Sequence, residues 1–237
     1  MDEGADIIDI GGESTRPGAA EVGLDEERRR VLPVLERLAS LDVPVSVDTR
    51  KPELMRDAVT AGASMINDVE ALQSAGALAA VAGGNAAVCL MHKRGAPATM
   101  QNDPRYDDVV ADVAAFLADR VRAVCAAGIS DERIVVDPGF GFGKTLAHNL
   151  QLLNRLKEVA PTGVALLAGI SRKSMLGQIT GRDAAGRVHA SVAAALIAVQ
   201  NGAHIVRVHD VAATRDALAV WQAVVQDGRG GASRPKP

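Results

Sequence analysis

Aromatic side chains make up only 2% of this 237-residue chain: three Phe, one Tyr and one Trp. The core must therefore be built from aliphatic residues, and any cluster of aromatics calls for a reason. Two of the three phenylalanines, Phe140 and Phe142, fall in one glycine-rich stretch, where they read as exposed and suited to a flat aromatic ligand. Cysteine is equally scarce. Cys89 lies in an apolar strand pattern and Cys125 in a helical one, which excludes a disulfide framework or a zinc site and leaves two small apolar residues. An excess of one charge is also lacking: 26 Lys and Arg face 29 Asp and Glu, for a net charge of -3. No basic stripe points to nucleic acid and no polybasic cluster points to a membrane surface. The longest apolar run, near Val192 to Val199, is too short to span a bilayer. The acidic start Met1-Asp2-Glu3-Gly4 does not lead into a signal-type apolar core. A cytoplasmic protein that acts on small molecules is expected. No linker interrupts residues 1–226, which read as a single domain. The stretch 227–237, rich in Gly, Arg and Pro, reads as a disordered tail.

What is present is an alternation of short apolar runs with longer helical patterns. Strands are expected at Ile7–Gly11, Val43–Val47, Ser64–Val69, Ala86–Met91, Ile134–Asp137, Ala165–Ile170 and His204–His209. Each run is continuous, as in parallel strands buried on both faces. Helices are expected over Asp25–Ser40, Pro52–Ala61, Pro104–Ala126, Asn149–Val159, Ala184–Asn201 and Ala212–Gln226. Pro52 and Pro104 suit first helical turns, and Gly62, Gly128 and Gly202 suit helix ends. Such an alternation gives a doubly wound sheet or a barrel. Nearly every strand runs out into polar residues: Glu13 to Arg16, Asp48 to Arg50, Asn67-Asp68, His92, Asp137, Ser171 to Lys173, and Arg207 with His209. A doubly wound sheet gathers ligands at one switch point, whereas a barrel brings every strand end to one mouth. The pattern therefore predicts a TIM-type (β/α)-barrel with seven recognisable strands.

Several segments carry chemistry. Asp137 to Lys144 follows a strand, and its glycines permit close ligand approach; its spacing fits neither a P-loop nor G-x-G-x-x-G. Gly12 to Gly18 offers hydroxyls and a guanidinium in a Gly/Pro frame, which suits a diphosphate or a solvated turn. Ser171 to Ser174 offers two cations and two hydroxyls, either at an anion site or as a helix start capped by Ser171. Arg207 and His209 share one side of a strand, as site residues or as a satisfied core pair. Asp48 and Asn67 each end a strand and read equally as caps or as site residues. Together the residues point to group transfer at a phosphorylated or diphosphorylated substrate.

In order along the chain, these segments resemble the signatures of the dihydropteroate synthases. Ile8-Asp9-Ile10-Gly11-Gly12-Glu13-Ser14-Thr15-Arg16-Pro17-Gly18 is similar to that family's second-strand loop. Val45 to Thr49, Ile66 to Asp68, Leu90 to His92 with Pro97 to Gln101, Asp137 to Lys144, Ser171 to Lys173 and Arg207 to Asp210 complete the set. The resemblance implies a cytoplasmic transferase of folate biosynthesis. It would condense 6-hydroxymethyl-7,8-dihydropterin diphosphate with p-aminobenzoate and release diphosphate, and sulfonamides would inhibit it. By resemblance, Asp48, Asn67, Met91, Asp137 and Lys173 take the pterin. Thr15, Arg16, Arg207 and His209 take the diphosphate, and Pro17, Phe142, Ser171 and Lys173 border the p-aminobenzoate pocket. Lys173, Arg207 and His209 are the catalytic candidates. Mg²⁺ is expected through the substrate diphosphate, and the assembly is expected to be a homodimer.

The family's first strand, with a loop that carries a metal-binding asparagine, has no counterpart in this sequence. Seven strands leave a gap expected between Ile7–Gly11 and His204–His209. Four alternatives follow: an N-terminally truncated form, a pterin-binding paralogue without turnover, a pterin-dependent methyltransferase domain, and a scaffold without a small-molecule site. The methyltransferase class would not need the Ser-Thr-Arg-Pro or Ser-Arg-Lys segments.

Overall fold

The computed structural model describes residues 2–14, 19–38, 40–41, 43–95, 100 and 103–230. Seven strands appear where the apolar runs predict them: β1 Ile8–Gly11, β2 Val45–Asp48, β3 Met65–Asp68, β4 Ala87–Met91, β5 Ile134–Asp137, β6 Ala165–Ala168 and β7 Ile205–Val206. All neighbours pair in parallel, and sheet order equals chain order from β1 to β7. Among the described residues β1 and β7 do not pair with each other. The sheet is nonetheless curled, because Arg207, which follows β7, reaches Asp9 of β1 at 3.2 Å. This is a TIM-type α/β architecture with one open seam, in the place the strand count predicts.

The helices are α1 Leu24–Leu38, α2 Pro52–Thr60, α3 Ala77–Ala82, α4 Val109–Ala126, α5 Leu146–Asn154, α6 Ser174–Thr180, α7 Val188–Gln200 and α8 Val211–Gly230. Short α3 and α6 carry too few periodic turns to be seen in the sequence. The expected start of α4 at Pro104 is corrected. The Asp108 carboxylate accepts from the amides of Val110 and Ala111 at 2.9 and 3.2 Å, and so sets the first turn at Val109. Likewise, Thr145 caps His148 N and starts α5 three residues earlier than expected; a 3-10 turn at Leu156–Glu158 takes up the rest of that pattern. Helix α8 runs on to Gly230, so residues 227–230 of the stretch read as tail are helical. Residues 231–237 lie outside the described residues. Among the described residues no helix is long and apolar enough to cross a membrane.

The alternation of side chains along the strands decides where a site can form. One set, including Val45, Val47, Ile66, Val88, Leu90, Ile134, Val136 and Leu166, packs under the helices in the main core. The other faces the barrel axis, where Met65, Cys89, Val135 and Leu167 form only a small apolar cluster. Towards the C-terminal ends of the same strands the alternation brings polar residues instead: Asp48 and Asn67 are paired in register, and so are Met91 and Asp137. The apolar plug is thus shallow and roofed by polar groups, at the end of a barrel where ligands bind.

Candidate active site

The site is a charge cluster at that roof. The Arg207 guanidinium donates to Asp9 Oδ2 at 3.2 Å and to Asp48 Oδ2 at 3.4 Å. Burial opposes its charge, but the carboxylates of Asp137, Asp48 and Asp9 outweigh that and raise its pKa. Burial, with Asp9 adding and Arg207 opposing, pushes the Asp48 carboxyl up to about 7. Burial pulls the Lys173 ammonium down to about 8, with Asp137 opposing and Arg207 adding. Two cations therefore sit among three carboxylates, and their balance is left to whatever binds. Asn67 and Asp137 are buried, and Asp137 Oδ1 accepts from Gly139 N at 2.7 Å.

A cavity of about 1500 Å³ opens at this roof. Its wall includes Asn67, Phe142, Ser171, Lys173, Arg207 and His209; Asp48, Met91 and Asp137 are not part of it. Met91 packs instead with Val69, Met100 and Phe142 as an apolar cheek. The cavity continues through the open seam, past residues 4–9 and the α8 face of Thr214, Leu218 and Trp221.

Several residues are placed otherwise than expected. Phe140 and Phe142 are both buried: Phe140 belongs to the main core, and Phe142 to the Met91 cluster. Only the Phe142 ring meets a charged group, with Lys173 Nζ 4.8 Å above its centre. Ser171 caps no helix, because α6 begins at Ser174. Ser171 Oγ accepts from His209 N at 3.2 Å and lies 3.0 Å from His209 Nδ1. Donation from that hydroxyl would keep the ring proton on Nε2, facing away. Arg172 ion-pairs with Asp210 and does not act with Lys173. β7 ends at Val206, so Arg207 and His209 are not a matched pair on one strand. Arg207 turns inward, while His209 is exposed. Arg50 pairs with Glu13 and Glu21, and Asp68 caps its own turn by accepting from Glu70 N and Leu72 N, both at 2.8 Å. Thr15, Arg16 and Pro17 lie outside the described residues.

Asp9 is a site group that the sequence pattern does not mark. Its signal was a lone carboxylate in the run Ile7-Ile8-Asp9-Ile10, on the strand face opposite the apolar neighbours. Glu13, which leads into the 15–18 segment, is held by Lys51, which also ion-pairs with fully buried Glu27.

Comparison with known proteins agrees with this fold. The family model described as pterin binding enzyme matches residues 1–209. A dihydropteroate synthase from Neisseria meningitidis serogroup C is 54% identical over 228 residues, which cover 94% of this chain and 81% of the relative. The crystal structure of Burkholderia cenocepacia dihydropteroate synthase complexed with 7,8-dihydropteroate superposes with a TM-score of 0.93 at 55% identity, covering 97% of this chain and 85% of that one. That of Yersinia pestis dihydropteroate synthase with a sulfonamide drug gives a TM-score of 0.92 at 49% identity, covering 95% and 82%. With sequence and fold in agreement, the chain belongs to the dihydropteroate synthase family of pterin-binding enzymes.

Proposed function

We propose that this protein condenses 6-hydroxymethyl-7,8-dihydropterin diphosphate with p-aminobenzoate, giving 7,8-dihydropteroate and diphosphate in folate biosynthesis. One observation carries the reading: Asp48, Asn67, Asp137, Lys173 and Arg207, from five different strand ends, form one polar roof beside the apolar cheek of Met91 and Phe142. Carboxylates and an amide match the donors and acceptors of a pterin edge. Arg207 and His209, with Thr15 and Arg16, take the diphosphate. Phe142, Ser171 and Lys173, with Pro17, border the arylamine.

No side chain need act as a nucleophile. The arylamine nitrogen attacks the pterin methylene, the carbon–oxygen bond to diphosphate breaks, and the proton leaves the nitrogen. Arg207, Lys173 and His209 stabilise the departing charge. Among the described residues no group of three His, Cys, Asp or Glu could hold a metal, and Asp9 is already occupied by Arg207. Mg²⁺ is assigned to the substrate diphosphate, whose oxygens supply its ligands. A cytoplasmic homodimer is also proposed. Exposed Ile197 on α7 and Val220 and Val224 on α8, the last two about two-thirds exposed, are apolar residues on adjacent helices that a second copy would cover. Sedimentation velocity tests it: a monomer at micromolar concentration refutes the dimer.

Chromatographic detection of dihydropteroate from the two substrates tests the function directly. Sulfonamides are expected to inhibit, with added p-aminobenzoate relieving the inhibition. Inhibition that p-aminobenzoate leaves untouched would remove Phe142, Ser171 and Lys173 from the second pocket.

The Asp48 carboxyl, held up at about 7, gives a pH signature. Accepting from the pterin requires the carboxylate, so binding below neutrality must expel a proton. Pterin affinity is expected to rise between about pH 5.5 and 7.5 and then level off, and Asp48→Asn is expected to flatten this rise. Calorimetry in buffers of different ionisation enthalpy reads the proton directly. No proton release near pH 6 means that Asp48 does not accept from the pterin.

A further inference from the structure

The loop 138–143 carries Phe142, and its backbone is tied down by side chains. Lys144 Nζ donates to Gly139 O and Phe142 O, each at 3.0 Å, and more weakly to His92 O at 3.4 Å. Lys173 Nζ donates to Phe140 O. Tyr106 OH donates to Gly143 O at 2.9 Å, and Asn149 Oδ1 accepts from Gly141 N at 2.8 Å. The loop also lies against the segment after β4. A Cβ on Gly139 would stand 1.9 Å from His92 O, and one on Gly143 would stand 2.2 Å from Arg94 O, so both close approaches require glycine.

Lys144 is the cross-tie of this seam. It is buried, and its Nζ also lies 2.9 Å from His92 Nδ1. Burial, with Lys144 adding, pulls the His92 ring down to about 3, so the ring is neutral and Nδ1 can accept. Burial pulls the Lys144 ammonium down to about 7, with Asp137 opposing and Lys173 adding, and such a group is tolerated only where its N–H groups find acceptors. Here those acceptors come from two separate segments, 92 after β4 and 139–142 after β5. The reacting groups do not explain this arrangement, since Lys144 touches none of Asp48, Asn67 or Arg207 among its hydrogen-bond partners. What the seam does carry is the cheek: Met91 ends β4, Phe142 sits in the loop, and the two pack together with Val69 and Met100.

On the reading of function above, we propose that Lys144 and Tyr106 are positioning residues, which hold Phe142 and the loop carbonyls in register with Met91 and Lys173 and thereby set the affinity for the aromatic amine more strongly than that for the pterin, whose contacts at Asp48, Asn67 and Asp137 Oδ2 come from the strands. Asp137 ends β5 before the loop begins; its Oδ1 meets the loop at Gly139 N, while Oδ2, the oxygen left for the pterin, takes its position from the strand. Lys173 does depend on the tie, because its Phe140 contact and its place over the Phe142 ring both move with the loop.

Calorimetry on the full chain tests the proposal, with p-aminobenzoate titrated into protein saturated with dihydropterin and magnesium diphosphate, and pterin titrated separately. Lys144→Met keeps the apolar stem and is expected to weaken p-aminobenzoate about tenfold, the loss of a small set of hydrogen bonds, with pterin affinity held within about twofold. Tyr106→Phe removes one hydroxyl and is expected to weaken p-aminobenzoate about threefold, and it serves if the lysine variant fails to fold. In Lys144→Ala, n-propylammonium replaces the missing stem and charge and is expected to restore amine binding, while n-propanol does not. Unchanged p-aminobenzoate affinity in Tyr106→Phe and Lys144→Met overturns the proposal. So does a parallel loss of pterin, or equal recovery with the alcohol. A wild-type chain that binds neither compound instead overturns the function reading, and this assignment falls with it.

Discussion

Asp137→Asn is expected to weaken pterin binding by roughly thirty- to a thousandfold, the equivalent of about 2–4 kcal/mol for two mismatched polar contacts. The substitution is clean because half of the carboxylate already has a structural duty. Asp137 Oδ1 accepts from Gly139 N at 2.7 Å, and an asparagine oxygen can keep that bond. The amide nitrogen must then take the place of Oδ2, where it presents a donor to the ligand's own donors. The side chain is buried, so the mismatch has no solvent to relieve it. Three cations lose a partner as well, since the Asp137 charge supports the ammonium groups of Lys144 and Lys173 and the guanidinium of Arg207. Lys173 should therefore lose its proton at lower pH in the variant than in the wild type. Calorimetry with pterin, alongside a melting curve to show the fold is kept, decides the matter. Unchanged affinity in a folded variant removes Asp137 from the pterin site.

Much of this was legible in the sequence because a buried parallel strand writes itself as a continuous apolar run, and all seven such runs became strands. Polar residues at their C-terminal ends were brought to one end of the barrel, where Asp48, Asn67, Asp137, Lys173 and Arg207 converge while Arg50, Asp68 and Arg172 are engaged elsewhere. What the sequence hid was direction. Phe140 and Phe142 sit two apart in a glycine-rich loop and look alike, yet one fills the helix-side core and the other the ligand-side cheek. The difference comes from the left-handed turns at Gly139, Gly141 and Gly143, which no period describes. Ser171 and His209 read as two independent ligands, but they follow the neighbouring strands β6 and β7, whose pairing brings them to 3.0 Å, where each satisfies the other. Lys144 looked like the end of a motif. Its role depends on the carbonyls of Gly139 and Phe142 and on His92, which lies in a separate segment, and carbonyls have no letter in a sequence. Helix starts failed for a related reason: Asp108 and Thr145 fix them through single side-chain bonds that outrank proline or periodicity.

A chain extended upstream of Met1 by one strand and one helix, roughly 25–35 residues from the rise per residue of each, is expected to be more stable and more active than residues 1–237 alone. The reason lies in the seam. β1 and β7 each have one free edge among the described residues, and a wide cavity separates them. Among the described residues the polar contacts that span it are few: Arg207 on Asp9, Arg215 on Asp6, and Ala212 N on Glu3. The Arg215–Asp6 pair is largely exposed, and such pairs contribute little. Free strand edges recruit other chains, so association through β1 or β7 is the expected behaviour of the open form. The walls of the seam are ready for an occupant, with Ile8, Ile205, Leu218 and Trp221 facing the cavity beside the unpaired edges. A strand of about five residues would bury two or three apolar side chains there and complete two ladders, which after ordering cost leaves roughly 2–4 kcal/mol. For a chain of this size that corresponds to about 5–15 °C in melting temperature. The effect on the site should be lopsided. Arg207 and Asp9 flank the seam, so the diphosphate end is the loose one, whereas Asn67, Asp137 and Lys173 belong to strands with neighbours on both sides or follow them. Pterin affinity should therefore differ little between the two chains, while turnover should differ by more than tenfold, as expected when leaving-group contacts made in the transition state are misplaced. Melting curves, gel filtration and turnover measured side by side settle it. If residues 1–237 alone run as one sharp species and turn over as fast as the extended chain, the seam is not a defect, and Arg207 is already where the reaction needs it.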